Sequence, residues 1–386
     1  MNQYEIKIRD NDLNIVGEVK EFTSLKLKMS FCDVGAWKLK LPAKTRAGEK
    51  FIDLLKAGGG KAGIVVFKNQ TPIFSGVIRG REKDTDYSTK TDELILTGND
   101  DNFLLAMRLA VPKNANGENR EPYNGEDYSI FTGAAEAVIK NYVRYNAADL
   151  AYPSRKIRGL TVETNKERGT QVIGRARFDN LLKLCNELAT KGGIGFKTIQ
   201  TGNGQTEFMV FEPKDKTKSV VFSNLRGTLQ AINYRQNAAT ANFIIVGGGG
   251  VGVDRYFSWA GDEPSRSLYG TIEEFIDQRH TTDKQELNEK IYEELAKKTE
   301  EISAEIKPRE APGTVFGVDY DIGDRVTVEV DDEKFSDIIR EINIELTEDK
   351  GEEITPVIGT AGVGTTFRLF DNYRNLEARM MNLEKI

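Results

Sequence analysis

Leu25, Leu27, Met29 and Phe31 alternate with Lys26, Lys28 and Ser30, and after the interruption CDVGA the alternation resumes at Trp37, Leu39 and Leu41. Side chains leave a strand on opposite sides in turn, so a period of two with one apolar face is the signature of half-buried antiparallel β-structure. The two stretches read as a hairpin. An amphipathic helix is expected around Glu49 to Lys56, then strands at Ile64 to Phe67, Ile73 to Arg79 and Glu93 to Thr97. Strands with one helix laid against them imply a small barrel or a sandwich.

From Asn102 the period changes. Phe103 to Leu109 begins a helical segment, Gly133 to Tyr145 continues in that style, and Phe178 to Thr190 is an amphipathic helix stopped by Gly192 and Gly193. Between the first two lies VPKNANGENREPYNGED, an exposed loop by its Asn, Gly and Pro content. Strands are expected at Ile194 to Ile199 and Glu207 to Phe211, which makes residues 102–215 an α+β module. A second β-rich region follows over 216–360. It carries a helix over 283–306, where Asp283 and Glu286 give a capping-box-like start and Leu287, Ile291, Leu295, Ile302 and Ile306 form one face. Val326, Val328 and Val330 then alternate, as do Ile342, Ile344 and Leu346. The fold class is therefore α+β and β-rich: a β domain over 1–101, the α+β module, and a second β domain.

After the hinge-like GTAGVG comes a terminal helix within 361–386. Leu369, Tyr373, Leu376, Met380 and Leu383 step by four, three, four and three, the a/d seam of a left-handed coiled coil. A helix of about 20 residues, roughly 30 Å long, is marginal alone in water and needs partners or its own domain to pack on.

Chemistry is sparse. The 54 Lys and Arg against 60 Asp and Glu are interspersed, for a net charge of −6, so the basic footprint of a nucleic-acid binder is missing. No apolar run approaches the roughly 20 residues that cross a bilayer, and MNQYEIKIRDNDLN lacks the regions of a signal peptide, so a soluble, unexported protein is expected. Cys32 and Cys185 match no metal or disulfide pattern and read as buried small apolar residues. His280, the only histidine, reads as a surface residue, which leaves a triad or a zinc site without its parts. In GNDDNFLL, Asn99, Asp100 or Asp101 is expected to accept from the free N–H groups of a helix start. DYDIGD at 319–324 resembles a calcium loop through Asp319 and Asp321, but Gly323 stands where a ligand belongs, and a turn into the strand Arg325 to Val330 explains it better. Gly247, Gly249 and Gly252 have the spacing of a dinucleotide fingerprint after Ile244, Ile245 and Val246. That fingerprint works only when the glycines open a helix, and the β-branched and aromatic VDRYFSW follows instead, so a link between two strands is expected. No catalytic residue, cofactor or metal is assigned.

Several segments together resemble the siphovirus-type tail proteins that form the hub of a phage tail tip or baseplate: YEIKIRDNDLNIVGEVKEFTSLKLKMSFCDVGAWKLKLP, LILTGNDDNFLLAMRLA, ANFIIVGGGGVGVDRYF leading to GTIEEFIDQRH, and GVDYDIGDRVTVEV closing with EEITPVIGTAG. They occur in the family's order and span nearly the whole chain. The resemblance implies a homotrimer with two tube-like β-barrel domains per subunit, strands near 206–235 returning to complete the first. The six barrels would form a ring adapting a sixfold tail tube to a threefold spike or fibre. It also implies a tail tube protein ring above, a spike or fibre protein below, a tape measure protein in the lumen, DNA only in passage, and assembly in the bacterial host cytoplasm. Many members continue into a cell-wall-degrading or receptor-binding region, whereas this sequence stops at Ile386, which argues for a non-enzymatic part. The competing reading is a tail-associated peptidoglycan hydrolase using acidic residues of the α+β module.

Overall fold

The computed structural model describes residues 3–359 apart from 59, 89–90, 310, 331–332 and 350. The terminal stripe Leu369, Tyr373, Leu376, Met380 and Leu383 lies outside the described residues. The chain divides into two compact units, one formed by Met1–Ala231 with Ile306–Val357, the other by Ile232–Glu305 with the described residues 358–359.

In the first unit a long antiparallel array runs in the order Glu333–Thr347, Ser24–Ser30, Ala36–Pro42, Thr91–Asp100, Thr71–Asp86, Gly63–Lys68, Tyr4–Arg9, Ile15–Val19. The expected hairpin is there, with Leu25 facing Leu39 and Leu27 facing Trp37. So is the helix, now Arg46–Lys56, its first turn closed by Thr45 Oγ1 accepting from Gly48 N at 3.1 Å. The strand that meets Ser24–Ser30 on its other side is Glu333–Thr347, with Ile342, Ile344 and Leu346 opposite Met29, Leu27 and Leu25. In the segment near 206–235, Gln205–Phe211 pairs with Gly195–Gly202 and Leu160–Val162, and Val221–Ser223 lies parallel to Arg325–Val330, which pairs in turn with Glu333–Thr347 of the array. Period two fixes which face of a strand is apolar and is silent on its neighbour.

The helices Ala135–Asn146 and Leu181–Gly192 bury Val138, Ile139, Tyr142, Leu184, Cys185 and Leu188 in a core that Cys32 of the first β region also joins. The second helix starts at Asn180, whose side chain accepts from Lys183 N at 3.2 Å, and ends at Gly193 in the left-handed conformation, φ 67°. The helix expected from Asn102 is one turn, Phe103–Ala106, followed by the two-residue strand Leu109–Ala110. Gly133 belongs to the strand Ser129–Ala134.

The second unit is a three-stranded sheet, Phe257–Gly261, Phe243–Gly247, Glu273–Asp277, with the helix Lys284–Lys298 on one face. Ile244 and Val246 meet Leu287 and Ile291 in its core. Asp283 caps the helix, accepting from Gln285 N at 2.8 Å. The helix stops at Lys298, short of the expected 306, and Ile302 and Ile306 lie in the strand Glu301–Pro308. A spacing of four is common to both periods, so Ile302 and Ile306 with Ala304 between them fit a strand equally well.

Candidate functional site

Arg9 ends its strand completely buried, a position that an unpaired guanidinium cannot hold without a large desolvation cost. It forks onto Asp101, Nη1 to Oδ2 at 2.7 Å and Nη2 to Oδ1 at 2.6 Å. Ser75 Oγ donates to the same carboxylate at 2.5 Å, and Gln200 Oε1 accepts from Arg9 at 3.2 Å. Gln200 in turn donates to Leu13 O and Gly202 O. The array strands Tyr4–Arg9 and Thr71–Asp86 are thus tied to the module strand Gly195–Gly202 by one buried polar junction. This corrects the cap reading of Asp101. Asn102, at the start of the single turn, makes no capping bond either; its Oδ1 accepts from Thr198 N and its Nδ2 donates to Asp33 O. A buried cation needs a counter-ion more than one helical turn needs a cap.

A second cluster joins Glu136, on the helix Ala135–Asn146, to Lys140 at 2.5 Å and to Arg168 through Nε at 2.9 Å and Nη2 at 2.8 Å. Glu163 meets Arg168 at 2.8 Å, Lys166 at 2.6 Å and Lys140 at 3.3 Å. Burial pushes Glu136 up, but the hydrogen bonds from Arg168 and Lys140 outweigh it and hold the carboxyl at about 2. Burial acts the same way on Glu163, and Lys166, the Val210 N–H and Arg168 bring it to about 2. Both carboxylates are therefore ionised near neutrality, whereas glycoside hydrolysis needs one of its pair protonated. Asp100 does sit well above the usual carboxylate range, through burial, with the Asp101 charge also raising it. It faces a cavity of ≈ 40 Å³, room for about one water and not for a sugar.

The linkage has a definite sign. Folded-state values depressed from 4.5 to about 2 contribute stability that is complete above pH 4.5 and is lost as pH falls toward 2. Urea unfolding at pH 7 and pH 3 is expected to show the loss, with a shallower fall in Glu163→Gln; equal pH dependence of the two proteins would contradict the assignment.

The other sequence candidates resolve one by one. Cys32 and Cys185 are free and buried, and burial raises both thiols, Cys32 to about 12. His280 is exposed, 3.8 Å from Glu286. In DYDIGD the carboxylates serve the backbone: Asp319 accepts from Gly313 N and Val315 N, and Asp324 from Lys214 N and Asp321 N, before the strand Arg325–Val330. No group of three or more His, Cys, Asp or Glu able to hold a metal occurs among the described residues. The glycine run links two strands, as expected. Gly248 N donates to Tyr256 O and Gly249 N to Thr281 O, so neither is open to a phosphate. Arg255 lies over the run, donating to Gly247 O and Gly248 O at 2.8 Å each and pairing with Asp277. A Cβ on Gly247 would stand 2.6 Å from Arg255 Nη2 and 2.8 Å from Phe275 Cζ, so it would displace these two side chains.

The sequence reading missed one surface. On the sheet of the second unit, Trp259 and Phe275 both stand opposite Ile245, and Phe257 stands opposite Gly247, on the face away from the helix. Trp259 is 63% and Phe275 51% exposed. Arg255 and Arg266 stack on Phe257, Phe275 and Phe243. The signal was available: Phe257 and Trp259 alternate with the small Ser258 and Ala260, and only the small side leaves room for a helix. No helix among the described residues is long and apolar enough to cross a membrane.

The profile of the family described as Siphovirus ReqiPepy6 Gp37-like protein matches residues 5–360. No curated protein matches the chain. Among solved structures, the 43 kDa tail protein of prophage MuSo2 from Shewanella oneidensis is similar, with 13% identity, a TM-score of 0.58, and coverage of 92% of this chain and 98% of that one. The tail protein from Neisseria meningitidis MC58 gives 11%, 0.58, 93% and 97%. Prophage tail protein gp18 from Listeria monocytogenes EGD-e gives 9%, 0.54, 97% and 99%. At such identities the likeness is one of fold. The match along nearly the whole sequence carries the assignment: the chain belongs to the Siphovirus ReqiPepy6 Gp37-like family of siphovirus tail proteins.

Proposed function

We propose that this tail protein is a non-enzymatic hub of the tail tip or baseplate. Three copies associate, and each contributes two tube-like β-barrel domains drawn from the β regions on either side of the 102–215 module. The resulting ring of six adapts the sixfold tail tube above to a threefold spike or fibre below, around a lumen that takes the tape measure protein and then passing DNA. The observation that carries this reading is the family match over residues 5–360. The exposed Trp259 face supports self-association, because contiguous apolar surface of this kind marks interaction sites. The net charge of −6 suits a channel through which DNA passes without sticking.

The terminal stripe Leu369, Tyr373, Leu376, Met380 and Leu383 is proposed as a short trimeric coiled coil that hands over to the distal spike or fibre. The hydrolase reading fares worse, since the two carboxylates that line the module's groove, Asp149 and Glu163, are both held below the usual carboxylate range by cations, Arg144 on the first and Lys166 and Arg168 on the second. Electron microscopy of assembled particles with this chain labelled tests the proposal. Label at the distal end of the tail tube and no clearing of peptidoglycan in a zymogram are expected; label along the tube or in the capsid, or a clear band, would contradict it.

A further inference from the structure

The helix Ala135–Asn146 and the strand Leu160–Val162 enclose a groove of ≈ 520 Å³, a volume in the range of ligand sites. Ala137, Asn141 and Arg144 line one wall from a single helix face, and Leu160 and Val162 line the other. The strand is the edge of a three-stranded sheet and runs parallel to Gln205–Phe211. On that inner side Gly159 O accepts from Thr206 N at 2.8 Å and Glu163 N donates to Phe208 O at 3.0 Å. In a parallel ladder this phase turns Thr161 inward and leaves Leu160 C=O, Val162 N–H and Val162 C=O on the open side. None of these three groups has another partner among the described residues. The side-chain amide of Asn141, on the helix Ala135–Asn146, likewise makes no hydrogen bond among them, so an unused primary amide stands across the groove from an unused strand edge.

The charges decide what fits. Lys140 is paired with Glu136 and Glu163, and Arg144 with Asp149 at 2.7 Å. Every charged group of the lining is therefore already neutralised within the chain, which complements an uncharged main chain and not a carboxylate, phosphate or acidic sugar. We infer that this groove receives an extended, uncharged polypeptide segment of a neighbouring protein, added as a strand along Leu160–Val162, with Asn141 bonding its amides from the opposite wall. Strand addition gives affinity through main-chain bonds and selectivity through the side chains that alternate into the groove. Here the apolar floor of Ala137, Leu160 and Val162 selects small or branched apolar residues. The inference concerns the first unit alone and does not depend on the hub reading.

The test selects binders to the full-length chain from a displayed library of random dodecapeptides, then measures each on Val162→Pro. Proline removes the Val162 N–H, and it is tolerated on an edge strand whose N–H faces outward. Selected peptides are expected to bind Val162→Pro and Asn141→Ala about tenfold or more weakly than the unaltered chain, as one lost hydrogen bond implies. Copies N-methylated at a central amide are expected to lose binding to the unaltered chain to a similar degree, which keeps the test valid if the proline variant does not fold. Recovery of no peptide, or of peptides indifferent to both the variants and the methylation, would overturn the inference.

Discussion

Asp101→Ala is expected to lower unfolding stability by about 3–5 kcal/mol, because it strands the fully buried Arg9 without a counter-ion. The size of the effect comes from desolvation more than from the strength of the pair. Arg9 has Gln200 Oε1 as its other hydrogen-bonded partner, a neutral acceptor at 3.2 Å that cannot balance a charge. The double change Arg9→Met with Asp101→Leu removes both charges and is expected to recover most of the loss, as buried ion pairs replaced by apolar residues of similar volume commonly do. Urea unfolding of the three proteins decides. A single change that costs under about 1 kcal/mol would show that the junction does not tie the array to the module.

Charging the terminal stripe is expected to act on assembly and not on the fold. Leu376→Asp together with Leu383→Asp would place six carboxylates in the seam of the proposed three-stranded coil, where each would be desolvated and unpaired. The expected result is a protein of unchanged melting temperature whose trimer is weakened and whose particles lack the distal spike or fibre. Sedimentation and particle morphology report the two effects separately; normal mass and normal particles would remove the stripe from the interface.

The sequence was informative where a local pattern had one physical reading. Leu25 to Leu41 could only be a one-sided hairpin, and the apolar stripe within Phe178 to Thr190 ahead of Gly192 and Gly193 could only be a helix with a glycine stop, although its start at Leu181 under the Asn180 cap was not read. It failed where two readings share a spacing, as at Ile302 and Ile306, or where the deciding partner is remote. Nothing near Ser24–Ser30 names Glu333–Thr347 as its neighbour. Asp101 shows the same limit: its local context is that of a cap, and its role is set by Arg9, 92 residues away. The groove beside Leu160–Val162 was invisible for the same reason, since a three-residue edge strand has no period to detect.

The central claim is that three copies of this chain build one ring. Sedimentation equilibrium of the purified full-length protein is expected to return a mass three times that of the 43.2 kDa chain. A single-chain mass at every concentration and salt would contradict it.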